Sequence, residues 1–583
     1  MTQHDVSDAQ SDRAHIDGGM GFALAAFALG LGLLAVLGRI GLRDDLLRIG
    51  MVSLIFSGLV VVAIRSRTMR PAEFFAAGSR LPAPYVGLVF SGGIVGLFLP
   101  FLPPLPSGAG NSSVTAGFAL GALLALFVTG PVLRRSGAYS FAGFIAARFP
   151  GFPVRWPAVL VMSACAACVA LGGLEIALQS LIATAGVARG AGTAVLGGLL
   201  LLLIVPAGSS GVIWVCAAAV IVTIVALALP LGIGLLAGGS LAVPVLGNAA
   251  LWSRAAAAIA SVTGSHSGMD LRIVAAIALG LVSLGPLFAG SVAASNETRA
   301  WRAGAAGALW LLLCAILVTA TVAASALALN ASASGRMPQN LPQQILAASG
   351  RGDIAICGTH ASDPVTLTFA CAAEAGPSER LRIDDFRTSG GYLLENLPVL
   401  QGSEPTLARL AAAFAIVLGM GLAASGIQFI VTSFGHDIAH PKRRRRGPIT
   451  RRLAIARLTA LVLIVLASLW LVGHDVDARR LFGLALMLSG ALITPLLVLA
   501  LTPRASSLAA FAALCVAGFV AIHFMHAEAA AVMPPAELAS NTIFAALDGL
   551  AVGLFVSFLP KRQAPVSSEV VAASPGEDAS KSA

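Results

Sequence analysis

Apolar residues fill this chain in long runs. From Gly19 to Leu559 hydrophobic stretches recur, each ended by a short linker of polar residues, Gly or Pro. The runs fall at 20–38, 47–66, 83–104, 113–133, 156–185, 191–206, 209–236, 270–292, 301–329, 406–434, 452–473, 481–502, 506–525 and 540–559. A helix needs roughly 20 predominantly apolar residues to cross a bilayer, so these fourteen segments predict an all-α polytopic membrane protein. The run ending at Pro206 is the shortest and marginal for that length. The predicted organisation is a polar N-terminus with one extra transmembrane helix (1–46), a transmembrane core (47–559) carrying a long polar loop (330–405), and a tail (560–583). The tail is rich in Ser, Ala and acidic residues and reads as disordered.

Two runs carry helix-breaking residues in their interior. One is VGLVFSGGIVGLFLPFLPPLP (Val86–Pro106), with Ser91, Gly92 and Gly93 at its heart. The other is LGLVSLGPLFAGS (Leu279–Ser291), with Ser283, Gly285 and Pro286. With the two leading helices set aside these are the first and sixth spans. Broken helices five apart are the mark of paired inverted repeats, in which unwound backbone holds ions and substrate.

Composition agrees with the membrane reading: 57% of the 583 residues are hydrophobic and 11% charged. The formal net charge of +10 would point to nucleic acid in a soluble protein. In a polytopic one it reflects cytoplasmic loops enriched in Lys and Arg, and no nucleic-acid partner is expected. With the N-terminus inside, that face receives Arg65, Arg67, Arg70, Arg134, Arg135, Arg148, Arg155, Arg299, Arg302, Arg504, Lys561 and Arg562. It also receives the densest cluster, Lys442 to Arg457, with four consecutive Arg at 443–446. The cluster reads as a topological anchor beside a membrane helix and as a binding place for anionic lipid. The linker GRIGLRDDLLRIG fits worst: Arg39, Arg43 and Arg48 fall outside, offset in part by Asp44 and Asp45. A multi-pass protein of the cytoplasmic membrane with both termini inside is expected, its first helix retained because the acidic residues before it make a poor signal peptide.

Of seven Cys, five lie in apolar spans, where Cys packs as a small hydrophobe; Cys165-x-x-Cys168 is among them and reads as core. Cys357 and Cys371 fall in the long polar loop, where an oxidising compartment allows them to pair. Glu175 is buried deep in a span, either as a proton carrier or as an acid paired between helices. Asp548 lies in the last span, away from the core, and reads as a structural or assembly residue. His436 and Asp437 are either a gate element or a charge-compensating helix end, and His523 and His526 read as a solvated face.

Four segments in register with this topology resemble the sodium:solute symporter family, in particular its acetate-permease-like branch. They are RPAEFFAAGSRLPAPYVGL (Arg70–Leu88), GPVLRRSGAYSFAGFIAARFP (Gly130–Pro150), PAGSSGVIWVCAAAVIV (Pro206–Val222) and FIVTSFGHDIAH (Phe429–His440). The resemblance covers roughly Met51 to Leu559 and implies the LeuT-like fold of inverted five-helix repeats, with cation and solute bound near the midplane. Carried onto this sequence, the family's sodium site falls on Gly92 and Val95 in the first core helix and Leu418, Gly421 and Leu422 in the eighth. Gly421 and Leu422 stand where hydroxyl side chains are usual, Gly93 where an acid is frequent, and Cys216 at a polar position. The resemblance therefore implies a degenerate site, with Ser425 and Gln428 as nearby polar residues on the same helix. Ser91, Gly93, Glu175, Ser283, Pro286, Ser425 and Gln428 are the candidate solute or proton path. No metal or organic cofactor is expected, only a coupling ion, Na⁺ or H⁺. The expected function is secondary transport of a small organic solute, a monocarboxylate such as acetate, with a transport-inactive sensor or assembly subunit as the alternative. No nucleophile or metal-ligand cluster in the spans points to an enzyme.

Overall fold

The computed structural model describes residues 3–79, 81–102, 111–150, 152–236, 249–263, 269–350, 352, 354–375, 380–388, 393–394, 396–400, 405–438, 449–528 and 535–559. Two leading helices, α1 (Gln3–Arg39) and α2 (Asp44–Arg65), and the short α3 (Pro71–Ala76) precede the core. Five core spans follow: α4 (Ala83–Phe98), α5 (Asn111–Leu124) continued through α6 (Gly130–Ser136), α8 (Phe152–Ala185), α9 (Arg189–Ala207) and α10 (Ser209–Leu236), with α7 (Phe141–Arg148) between the second and third. After α11 (Ala249–Thr263) come five more: α12 (Leu271–Ser283) with α13 (Ala289–Ala293), α14 (Glu297–Ala333), α18 (Pro405–Thr432), α19 (Ile449–Gly473) and α20 (Ala478–Leu488) with α21 (Thr494–Leu501). Two helices close the bundle, α22 (Ser507–Glu528) and α23 (Pro535–Phe558).

Twelve helices among the described residues are long and apolar enough to cross a membrane, and thirteen if the bent pair α12–α13 is one span. The expected span at 506–525 is a shorter apolar helix, Ser507–His523. The marginal fourth core span gains length because its helix starts at Arg189. Leu29 and Leu33 of α1, Leu458 and Leu469 of α19 and Phe555 of α23 are exposed, as helices bathed in lipid require.

Small residues set the packing of the core. A Cβ added at Gly173 of α8 would stand 2.7 Å from the amide nitrogen of Ala423 on α18, and one at Gly426 would stand 2.9 Å from that of Ala170. The two helix backbones touch, as small-residue interfaces allow in lipid, where there is no hydrophobic drive to bring helices together. Gly87 of α4 brings that helix equally close to α14, its added Cβ lying 2.6 Å from Gly307 N.

The sixth core span is broken as its Gly-Pro pair predicts. α12 stops at Ser283, Leu284 is extended, Gly285–Phe288 form a tight 3₁₀ turn, and α13 leaves at a bend of 54°. The first core span departs from expectation. α4 runs unbroken through Ser91-Gly92-Gly93 to Phe98, and the tight turn comes only at Leu99–Phe101, around Pro100. Glycine has two uses in a membrane helix, unwinding and close approach, and here it serves the second. Gly92 abuts the carbonyl of Cys216, 2.5 Å from an added Cβ, and Gly93 abuts Leu287 at 2.7 Å.

The polar loop between α14 and α18 folds into a small cap. It holds α15 (Gln343–Gly350), α16 (Pro364–Ala375), α17 (Leu397–Leu400) and an antiparallel pair, β1 (Ile354–Ile356) and β2 (Phe386–Thr388), with Ile354 opposite Thr388. Cys357 and Cys371 are joined in a disulfide between the β1 turn and α16. Ile354, Ile356, Leu367, Leu381 and Phe386 form an apolar cluster with Ala258 of α11 and Ala326, Leu329 and Ala333 of α14. Ser325 of α14 donates to Leu393 O at 2.5 Å, and Arg387 donates to Ser261 O of α11, fastening the cap to the bundle. The basic run Lys442–Arg446 and the tail 560–583 lie outside the described residues.

Candidate functional site

The five residues carried over as a cation site are all buried. Gly92 of α4 and Gly421 of α18 both meet Cys216 of α10, Leu422 packs its Cδ1 2.8 Å from a Cβ added at Gly96 of α4, and Val95 and Leu418 belong to the apolar core around them. Their chemistry is apolar. The five positions bring no side-chain oxygen, and the Gly421 carbonyl accepts from Cys216 Sγ at 3.5 Å. A sodium ion requires several oxygen ligands to repay its desolvation, which Leu and Val side chains do not supply.

The oxygens that the core buries lie elsewhere, first at the break of α12. A helix that stops inside a membrane leaves its last carbonyls without amide partners. Two neighbouring helices supply hydroxyls at or beside a stretch wound as π-helix: Thr129 and Ser489 lie within Ala125–Thr129 and Ser489–Ile493, and Thr494 directly follows the second. Thr129 Oγ1 donates to Val282 O at 3.0 Å and Thr494 Oγ1 to Leu279 O at 2.8 Å. Ser283 Oγ sits among them, 2.8 Å from Ser489 Oγ, 2.9 Å from Thr494 Oγ1 and 3.0 Å from Ser489 O. Ser283 is thus one member of a hydroxyl cluster, and π-turns of this kind gather at functional positions. Pro286 lies buried in the following turn, while Phe429 of α18 packs against Gly285.

A second polar layer closes the end of the bundle near α3. Gln428 Nε2 donates to Phe74 O at 3.1 Å and to Ser209 Oγ at 3.1 Å, while Ser209 Oγ donates to Phe75 O at 2.9 Å. Ser210 Oγ donates to Glu73 O at 3.0 Å, so α3 is tied to the starts of α10 and to α18 by main-chain acceptors. Gln428 Oε1 is buried without a hydrogen-bond partner. His436 lies beyond, its ring centroid 4.6 Å from that of Tyr139 and 5.5 Å from that of Phe75.

Other candidates take structural positions. Ser91 Oγ reaches Gly87 O at 2.9 Å and Gly307 O at 3.0 Å, pinning α4 to α14, and Ser425 Oγ donates to Leu422 O of its own helix. Glu175 is the paired acid of the two readings open for it. Its carboxylate accepts from Arg189 Nη2 at 2.7 Å, Arg189 Nη1 at 3.1 Å and Gln179 Nε2 at 2.6 Å. Arg189 also donates to Leu471 O and His474 O and pairs with Asp475 at 2.7 Å. The group clamps α8 and α9 to the end of α19. Asp548 is exposed on the outer side of α23, away from the core.

Sequence reasoning missed Arg189, Ser209, Ser489 and Thr494. A paired dipeptide, Ser209-Ser210, and two polar residues inside an apolar run, Ser489 and Thr494, were the available signals.

No protein-family profile and no curated protein sequence matches the chain. Among solved structures it resembles a substrate-bound outward-open state of a Na⁺-coupled sialic acid symporter, with a TM-score of 0.62 at 14% identity over 88% of this chain and 97% of that one. A closed, bromovinylhydantoin-bound form of Mhp1, a nucleobase-cation-symport-1 family transporter, also aligns, with a TM-score of 0.39 at 13% identity over 82% of this chain and 92% of the other. The likeness to the sialic acid symporter, together with ten core spans arranged five and five around a broken sixth, establishes the LeuT-like fold of a multi-pass membrane protein.

Proposed function

We propose that the protein is a secondary active transporter, cation-coupled and symporter-like, that carries a small organic solute across the cytoplasmic membrane with both termini inside. The observation that carries this reading is the broken sixth span. Its freed carbonyls and the hydroxyls of Thr129, Ser283, Ser489 and Thr494 gather in one buried cluster, and broken helices are where transporters of this architecture hold their passengers. A neighbour in fold is described as a Na⁺-coupled sialic acid symporter, which supports solute carriage as the class; fold alone does not fix the substrate. A monocarboxylate such as acetate follows from the resemblance of the sequence segments.

The coupling ion is argued from chemistry. The apolar junction of Gly92, Val95, Leu418, Gly421 and Leu422 opposes sodium there, and the Arg189 pairing of Glu175 opposes a free proton carrier at that carboxylate. The same missing oxygens favour a second reading, a transport-silent sensor or assembly subunit. Uptake of radiolabelled acetate and other small solutes into proteoliposomes, under sodium and proton gradients imposed separately, decides between them. Uptake driven by either gradient supports the carrier. Folded protein that moves no solute of the panel under either gradient overturns it in favour of the second reading.

A further inference from the structure

At the end of the bundle where Lys and Arg gather, α2, α9 and α19 enclose a cleft of about 380 Å³ lined by Arg67, Thr68, Met69, Val205, Pro206 and Arg457. Its size is that of a small-ligand pocket. The chain builds it deliberately: Thr68 N donates to Pro206 O at 3.1 Å, closing the α2 extension onto the end of α9. Arg457 is held in place from three sides. Its Nη2 donates to Thr68 O at 3.0 Å and lies 3.5 Å from Met69 Sδ, and its guanidinium carbon sits 5.9 Å from the centre of the Phe74 ring.

The cleft's two cations have no carboxylate of the protein to pair with among the described residues. Among the described residues neither Arg67 nor Arg457 is ion-paired, Arg457 Nε is buried without a partner, and Arg457 Nη1 makes no hydrogen bond. The nearby carboxylate, Glu73, is already engaged by Thr68 Oγ1 at 2.5 Å and Arg70 Nη1 at 3.3 Å. Two guanidinium groups beside one apolar wall of Val205, Pro206 and Met69 match an amphiphile, with a phosphate for the cations and hydrocarbon for the wall. The cleft also lies where such a molecule is found. The spans of α2 and α9 end at Arg65 and Ala207, and Ile64 of α2 and Leu458 of α19, each beside the cleft in sequence, are exposed on apolar faces.

We infer that this cleft binds the phosphate of an anionic phospholipid headgroup, held between Arg67 and Arg457. This sharpens a general attraction of basic loops for acidic lipid into one site, and it is argued from the cleft's own residues, so either reading of function leaves it intact.

The test uses the full-length protein in detergent, with bound lipid counted by native mass spectrometry and melting followed by intrinsic fluorescence. The additions are phosphatidylglycerol, phosphatidylcholine and inorganic phosphate. Phosphatidylglycerol is expected to bind and raise the melting temperature, and phosphatidylcholine to do neither. Arg67 is exposed and its side chain makes no hydrogen bond or ion pair among the described residues, so Arg67→Gln folds, and it weakens phosphatidylglycerol binding about fivefold, the share of one cation at a membrane surface. Arg457→Lys keeps a charge but loses the fork and weakens binding as well, whereas the exposed Arg43→Gln, at the other end of α2, changes nothing. Equal binding of phosphatidylcholine, or full phosphatidylglycerol binding by Arg67→Gln, overturns the inference. Protection by inorganic phosphate equal to that by the lipid, and lost in Arg67→Gln, overturns the lipid as the source of the phosphate.

Discussion

Replacing Glu175 separates a structural clamp from a proton carrier. The carboxylate is 3% exposed and takes three charge-assisted or amide hydrogen bonds, two of them from one guanidinium. Removing one member of a buried pair costs about 3–5 kcal/mol because the other charge is left uncompensated. Glu175→Ala falls at about 3 kcal/mol, the low end, because Arg189 keeps Asp475 and the carbonyls of Leu471 and His474. Arg189→Ala falls higher, since the carboxylate retains only Gln179 in an apolar surround. Exchanging both for apolar residues, Glu175→Leu with Arg189→Met, removes both charges together and is expected to be more stable than Arg189→Ala alone. The coupling energy from the cycle is about 2–3 kcal/mol. The measurements are detergent-driven unfolding and thermal melting of the purified protein, with gradient-driven uptake in parallel. Glu175→Gln is expected to lower the melting temperature while leaving the coupling of uptake unchanged. An unchanged melting temperature combined with loss of proton-driven uptake would refute the clamp and return Glu175 to the proton path.

Backbone contact between α8 and α18 makes their glycines intolerant of a methyl group. Gly419→Ala, whose Cβ would stand 2.6 Å from Ala177 N, is expected to cost more than about 2 kcal/mol by melting, whereas Gly58→Ala on α2, with nothing within 4 Å, is neutral or mildly stabilising. Breaking the Cys357–Cys371 bond, which closes a separation of 14 residues, removes about 3 kcal/mol from the cap. Cys371→Ser should speed hydrogen exchange in β1 and α16 and leave the transmembrane helices protected. Gln428→Leu deletes the bonds to Phe74 O and Ser209, each worth about 1 kcal/mol, and faster exchange over residues 71–76 is the expected sign that α3 has come loose.

The transmembrane skeleton was legible because hydropathy reports lipid contact directly, residue by residue. The bend at Ser283–Pro286 was legible too, since proline has no amide to donate and its ring obstructs the preceding turn. The continuity of α4 was not, because Ser91-Gly92-Gly93 reads the same whether glycine loosens a helix or admits a neighbour. Only the position of Cys216 on α10 decides it. Long-range partners were hidden for the same reason. Nothing local to Glu175 names Arg189, which lies 14 residues on, across a turn and at the head of the next helix. Nor does an apolar run advertise that Ser489 meets a hydroxyl, and Thr494 a carbonyl, of another span over 200 residues away. These unseen partners change the chemistry. They move the buried oxygens away from the junction where the family pattern placed a cation and gather them at the break of the sixth span. The buried side-chain oxygens of this core lie beside Ser283 and in the Gln428–Ser209 layer, where Gln428 Oε1 is left without a partner. The Gly421–Leu422 junction is better explained as a dry contact between helices.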